Sequence, residues 1–259
     1  MTAYIPLKDY GKNLGLKKGD FILVSTDSRR MIMNAIKNNS STDFNDFIDG
    51  LLEEVGSEGT VVFPCYNWDF CKGLAFDYRT TPSKTGSITQ TALSRSDFKR
   101  TKHPIYSFAV AGRYQKELVD LNNKSSFGSD SPFDFFRHHN AVNLIFDVKL
   151  ERSFTYVHYV QEVLVDISNR YLKDYTADYT DENGITSRRT YSMYVRKLEL
   201  DVKNLVDPLE EDFIKAGCIS YCDINTSKIK KIDLNRCFDS IVYDIKYNKS
   251  RKLCSYKGQ

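Results

Sequence analysis

The sequence predicts an α/β protein whose N-terminal half alternates strand and helix and whose C-terminal part is richer in strands. Two observations predict it: a pair of short apolar runs flanking one strongly periodic helix before residue 65, and a change to hairpin-like alternation after residue 165. With 259 residues, 41% of them hydrophobic, the chain is long enough to bury a sizeable core.

Lys18-Gly19-Asp20 leads into Phe21-Ile22-Leu23-Val24, an apolar run bounded by turn residues that reads as a buried strand. A polar loop is expected next. From Asp43 to Val55, the residues Phe44, Phe47, Ile48, Leu51, Leu52 and Val55 recur at helical spacing, with Thr42 or Asp43 placed to cap the start. After a loop at Gly56 to Gly59, Thr60-Val61-Val62-Phe63 forms a second apolar run ending at Pro64. Strand, helix and strand at this spacing predict a parallel βαβ unit. Residues 65–104 are polar and irregular, and loops of that length inside a compact domain are usually functional or disordered.

Strands are expected again at Ser107 to Ala111 and at Val142 to Val148. Between them, Gly128-Ser129-Asp130-Ser131-Pro132 is a turn suited to start a helix at Pro132. Further on, Asp181-Glu182-Asn183-Gly184 is the clearest hairpin turn, and Asp207 to Gly217 reads as a helix with Gly217 near its C-cap. No repeat, low-complexity tract or linker divides the chain, so one domain over 1–259 is expected.

Composition narrows the function. The 37 Lys plus Arg against 34 Asp plus Glu leave a net charge of +3, spread along the chain, which argues against nucleic acid as a partner and permits anionic small ligands. No apolar run approaches the roughly 18 residues that span a bilayer, and the N-terminus lacks a basic start followed by an apolar stretch. The expectation is a cytoplasmic protein with no membrane partner. Six cysteines, at 65, 71, 218, 222, 237 and 254, show neither CxxC pairing nor a nearby histidine, which predicts reduced thiols and no metal.

Only four histidines are available, His103, His138, His139 and His158. In Thr155-Tyr156-Val157-His158-Tyr159-Val160-Gln161-Glu162, a helix puts Glu162 four residues after His158 and Thr155 three before it, on one face. A carboxylate beside an imidazole raises its basicity and fixes its orientation, as a general base requires. The same spacing also describes a surface pair or a core histidine, and these residues alone do not separate the readings. Lys99-Arg100-Thr101-Lys102-His103 groups three cations and an imidazole, a cluster that suits a phosphate or a solvated loop. No P-loop, GxGxxG or GxSxG pattern is present, and Cys65 has no nucleophile signature around it.

Taken together, the motifs are more specific than any one of them. Lys18-Gly19-Asp20 with Phe21 to Val24, Gly59-Thr60-Val61-Val62-Phe63-Pro64 and Thr81-Pro82-Ser83-Lys84-Thr85-Gly86 come first. Arg100 to Pro104 with Ser107-Phe108-Ala109-Val110-Ala111-Gly112, then Gly128 to Pro132, then Thr155 to Glu162, continue in order. This series, from about residue 16 to 165 and more loosely to about 240, resembles the aminoglycoside 3-N-acetyltransferase family. The resemblance implies a single-domain layered α/β/α sandwich, distinct from the GNAT fold, that transfers an acyl group from coenzyme A to an amine of a sugar. Residues 1–165 would then supply the coenzyme A site and catalytic core, and 166–259 the acceptor side.

By the same resemblance, His158 acts as base with Glu162 and Thr155 beside it. Ser25, Thr26, Thr81, Ser83, Arg100, Lys102, His103 and Ser107 would border acetyl-coenzyme A or another acyl-coenzyme A. Asn67, Trp68, Asp69, Lys72 and Arg170 would meet the acceptor. One departure matters: the family's acidic residue lies three positions after this histidine, where this chain has Gln161. Either Glu162 takes the role, or a neutral amide orients the histidine, or the enzyme is weakened.

The stretch Phe70-Cys71-Lys72-Gly73 with Phe76-Asp77 is similar to relatives in surface-polysaccharide pathways, whose acceptors are nucleotide-linked amino sugars. A chain of net charge +3 suits such an anionic acceptor better than a polycationic aminoglycoside. The expectation is therefore an amino-sugar N-acetyltransferase, with aminoglycoside acetylation as the alternative and a non-catalytic ligand-binding homologue as a third reading. A homo-oligomer is compatible with all three.

Overall fold

Alternate burial along the strands divides the interior into two apolar faces. In the computed structural model, which describes residues 3–164 and 167–257, Phe21 and Leu23 of β1 (Phe21–Thr26) point to one face, and Ile22 and Val24 to the other. β2 (Thr60–Pro64) repeats the pattern with Val62 against Val61 and Phe63. Strands buried on both faces read as continuous apolar runs, which is why these two were visible in the sequence.

The remaining strands are β3 (Phe76–Asp77), β4 (Lys99–Arg100), β5 (Phe108–Gly112), β6 (Val142–Phe146), β7 (Arg170–Thr180), β8 (Thr186–Arg196), β9 (Lys203–Asn204), β10 (Ile219–Ile224), β11 (Ser227–Asp233) and β12 (Cys254–Ser255). The helices are α1 (Tyr10–Asn13), α2 (Arg29–Lys37), α3 (Phe44–Val55), α4 (Ser87–Ser94), α5 (Gln115–Asp120), α6 (Pro132–His138), α7 (Leu150–Ser153), α8 (Tyr156–Val163), α9 (Glu210–Lys215) and α10 (Leu234–Tyr247).

Among the described residues, the main sheet has seven strands in the order β10-β11-β6-β1-β2-β5-β4. Its centre is parallel: β1 pairs with β2 in the register Phe21 to Thr60, and with β6 from Ile22 to Val142. Both flanks are antiparallel, through β2 with β5 and β6 with β11. One face is covered by apolar side chains of α1, α3 and α4, and the other by those of α6, α8, α9 and α10. The result is the expected α/β/α layering. A second sheet, β3-β7-β8, stands apart from it, and β9 pairs with β12. No helix among the described residues is long and apolar enough to cross a membrane.

Most expected elements are present. Asp43, rather than Thr42, caps α3 by accepting from the Asn45 N–H at 2.9 Å. Pro132 opens α6, and Asp181 closes the hairpin by accepting from the N–H groups of Asn183 and Ile185. The helix expected over Asp207 to Gly217 is a short 3-10 turn followed by α9, with Gly217 at φ +62°.

Two segments differ from expectation. The loop after β1 contains α2, which buries only Met31, Asn34 and Ala35 while Met33 and Ile36 face outward, so its apolar stripe is too narrow to read. Within residues 65–104, α4 buries a stripe containing a threonine, Ile88, Thr89 and Ala92.

Gly112 ends β5 at φ +105°, opposite Thr60, and a Cβ there would lie 2.2 Å from the Gly59 carbonyl oxygen. Backbone strain and overpacking together make Gly112→Ala destabilising by about 3 kcal/mol. Urea denaturation checks this, the variant's midpoint falling well below that of the wild type.

Candidate active site

The site is built around α8. Tyr156, Val157, Tyr159 and Val160 are buried against the helical layer, and the Tyr159 hydroxyl donates to Asp134 of α6 at 2.7 Å. With that face committed to the core, His158 is left half-buried at the helix edge, and Phe127 lies edge-on to its ring at 5.5 Å.

Gln161, one turn on and 1% exposed, places its amide oxygen 2.9 Å from His158 Nδ1. An amide oxygen only accepts, so Nδ1 carries the proton and Nε2 keeps its lone pair. Burial, assisted by the nearby Arg170 and Arg196 guanidinium groups, pulls the His158 pKa down to about 3. The imidazole is therefore neutral across the physiological range.

The expected His158–Glu162 pair does not form. Residues three and four ahead on a helix both neighbour the first, and here the carboxylate turns away to the segment containing Ser125 and Gly128. There Glu162 Oε1 would lie 3.6 Å from a Cβ at Gly128, and the buried Ser125 hydroxyl and Glu162 Oε2 have no hydrogen-bond partner. Burial raises the pKa of this carboxyl group, with Asp130 adding to the effect.

His158 and Tyr106 stand between two clefts, and both residues line each of them. The first cleft, about 320 Å³, opens at the C-terminal ends of the parallel strands, where Ser25, Thr26 and Pro64 meet Thr85, Arg152 and Thr155. Crevices at that end of a parallel sheet are common ligand sites. The second cleft, about 340 Å³, is walled by the β7–β8 hairpin and includes Arg170, Lys173, Tyr194 and Arg196. An aromatic chain forms the partition: Tyr66 to Tyr106 at 4.5 Å and Tyr106 to Phe127 at 4.7 Å.

Of the residues singled out in the sequence, Ser25, Thr26, Trp68, Thr155 and His158 meet at the first cleft, and Arg170 lies in the second. Trp68 is 38% exposed and donates from Nε1 to the Tyr106 hydroxyl at 3.3 Å. Asn67 is buried, joining Pro82 and the Asp69 N–H. Asp69 forms ion pairs with Lys72 and with Lys84, and only Lys84 of these three reaches the first cleft.

The cation cluster is placed differently from expectation. Arg100 is 4% exposed and donates to Ser107 Oγ and to the carbonyls of Thr81 and Cys65, so its guanidinium braces three segments. Ser107 donates to the same Cys65 carbonyl at 2.9 Å. Thr81 and Arg100 border a separate hollow of about 380 Å³ that excludes His158.

His103 is buried, with its pKa pulled down to about 3 by that burial. Its Nδ1 accepts from the N–H groups of Ile105 and Tyr106, which leaves the proton on Nε2, the reverse of His158. Lys102 pairs with Glu182 at 3.7 Å, and Ser83 bonds to Thr85 and Thr89. Burial also pushes the Cys65 thiol up to about 12, too high for a thiolate nucleophile at neutral pH.

Sequence reasoning missed Tyr106, Arg152, Lys173 and Arg196. Lys173 and Arg196 had only the hairpin alternation that brings residues of β7 and β8 to one surface, a pattern that carries no mark of a cleft, and Tyr106, just before β5, and Arg152, in α7, had no signal of their own.

The family model described as aminoglycoside 3-N-acetyltransferase matches residues 32–243. The fold is similar to that of sisomicin-bound AAC-VIa, with 18% identity, a TM-score of 0.78, and coverage of 95% of this chain and 99% of that one. It is similar to AAC-IIIb in its binary complex with CoASH, at 15% identity and TM-score 0.78 over 99% of each chain. The YokD protein of Bacillus subtilis gives 19% identity and TM-score 0.76 over 97% of each. No match was found among curated protein sequences. At such identities the structural likeness is one of fold, whereas the sequence model spans most of the chain: this protein belongs to the aminoglycoside 3-N-acetyltransferase family, and is an acetyltransferase.

Proposed function

We propose that the protein transfers an acetyl group from acetyl-coenzyme A to the amino group of a nucleotide-linked dideoxy amino sugar of the kind used in surface polysaccharides. The observation that carries the reading is the position of His158 between two clefts, as a two-substrate transfer requires. The first cleft suits the donor. Its hydroxyls at Ser25, Thr26 and Thr85 fit the amides of a pantetheine arm, and Lys84 and Arg152 fit phosphates. The second, facing the hairpin, takes the acceptor. Among the described residues its lining contains no Asp or Glu, the residue types with which a protein holds a polycation. A CoASH complex of AAC-IIIb supports the donor assignment. AAC-VIa binds sisomicin, which keeps an aminoglycoside as the second reading.

The amine, mostly an ammonium at neutral pH, gives up its first proton to solvent before it reacts, and the attacking free amine must lose a second as its nitrogen bonds to the carbonyl carbon. His158 Nε2, unprotonated because Gln161 holds the hydrogen on Nδ1, receives it. The C–N bond forms as the C–S bond of the thioester breaks, and the proton on the imidazolium returns to the departing thiolate. Thr155, beside His158 in the first cleft, is placed to contact the thioester. Both substrates are cytoplasmic metabolites, so the reading places the enzyme in the cytoplasm.

Thiol release from acetyl-coenzyme A with a dTDP-linked 4-amino-4,6-dideoxy sugar and with a 2-deoxystreptamine aminoglycoside, at equal salt, tests the acceptor. Release with the first alone is expected, and release with the second alone overturns the proposal. General-base catalysis is worth about 10²–10⁴-fold, so His158→Ala lowers kcat by that factor with little change in the KM for acetyl-coenzyme A.

The pH profile carries a sign as well. A base works unprotonated, and the folded-state pKa of His158 lies below the ordinary 6.5. The acidic limb of kcat/KM for acetyl-coenzyme A therefore falls well below pH 6. In Gln161→Glu, a carboxylate beside the ring stabilises the imidazolium, and the limb moves toward neutral pH.

A further inference from the structure

The hairpin register sets Arg170 directly opposite Arg196. Like charges at opposed positions of an antiparallel ladder destabilise it, and Arg170 is only 6% exposed. The partners of both are neutral: Arg170 donates to the Tyr194 carbonyl at 3.2 Å and to Asn204 Oδ1 at 3.0 Å, and Arg196 to the Val202 carbonyl at 3.0 Å. The buried Arg170 Nε has no hydrogen-bond partner.

Lys173 lines the same cleft, its ammonium 5.3 Å from the centre of the Tyr175 ring. Among the described residues, none of these three cations forms an ion pair. Burial, with the repulsion of Arg196 added, pulls the Arg170 pKa down to about 10. A buried cation left without a counter-charge is costly, and a cleft that gathers three cations is arranged for an anion that arrives from outside.

We propose that the opposed Arg170 and Arg196, with Lys173 beside them, form the binding site for the diphosphate of the acceptor. This rests on the acyl-transfer reading above. It adds a selection rule: nucleotide-linked amino sugars are retained and polycations repelled. Coenzyme A also carries phosphates, but the cleft at the strand ends has its own cations in Lys84 and Arg152. The hairpin site lies across Tyr106 and His158 from it.

The test is calorimetric titration with dTDP and with inorganic pyrophosphate, with coenzyme A kept saturating. Both probes bind the wild type, and dTDP binds Arg196→Gln at least tenfold more weakly, with a shallower salt dependence. Lys173→Gln, at an exposed position, weakens binding in the same direction should the arginine variant fold poorly. Equal affinity in the folded variants overturns the proposal, as does loss of dTDP binding once coenzyme A saturates. Thiol release by the wild type separates the two readings. Binding of dTDP with no transfer to any amine leaves the anion site and removes acyl transfer; transfer to an amino sugar that carries no phosphate, with no dTDP binding, does the reverse.

Discussion

The hydrogen bond between His158 Nδ1 and Gln161 is the interaction on which the account of the site depends. It fixes the tautomer, and the tautomer decides which nitrogen can accept a proton. A carboxylate in its place would do the same and add a negative charge, raising imidazole basicity. The amide gives orientation without charge. Combined with burial and two guanidinium groups nearby, this keeps the ring neutral but makes it a weak base. On the proposed reading, an anion seated over Arg170 and Arg196 would reduce that penalty and so couple occupancy of the hairpin cleft to the basicity of His158.

That hydrogen bond is possible because α8 is held on its other sides. Tyr156, Tyr159, Val157 and Val160 are buried in the layer that covers the sheet, and only the His158 edge is free to face the clefts. The two clefts have different origins. One lies where the parallel strands β1 and β2 end, a place that backbone topology makes hospitable to ligands. The other is walled by a long hairpin outside the main sheet, which is free to vary in charge without disturbing the α/β/α core. A family fold can thus keep its donor chemistry and change its acceptor.

Much of the fold was legible because burial on both faces leaves a plain signature. The runs Phe21 to Val24 and Thr60 to Phe63, the α3 periodicity, Pro132 and the Asp181 turn all carried local signals that tertiary structure kept. The helices α2 and α4 were not legible, since one buries a narrow stripe and the other includes a threonine in its buried face. In the site, His158 could be picked from four histidines, and the family resemblance pointed to its place. The choice between Gln161 and Glu162 could not be read, because positions three and four ahead are both helix neighbours and the Ser125–Gly128 segment toward which Glu162 turns is distant in sequence. Arg100 and His103 looked like ligand-binding groups because sequence does not reveal burial; both are interior braces. Likewise, the opposition of Arg170 and Arg196 exists only once the hairpin register is known.

The most direct test of the central claim is long-range ¹⁵N–¹H NMR of the imidazole nitrogens in the wild-type protein, with His158 assigned from the spectrum of His158→Gln. The account predicts a neutral ring at pH 6 protonated at Nδ1, beside a neutral His103 protonated at Nε2 that serves as the internal contrast. A His158 protonated at Nε2, or one that titrates near pH 6.5, would contradict it.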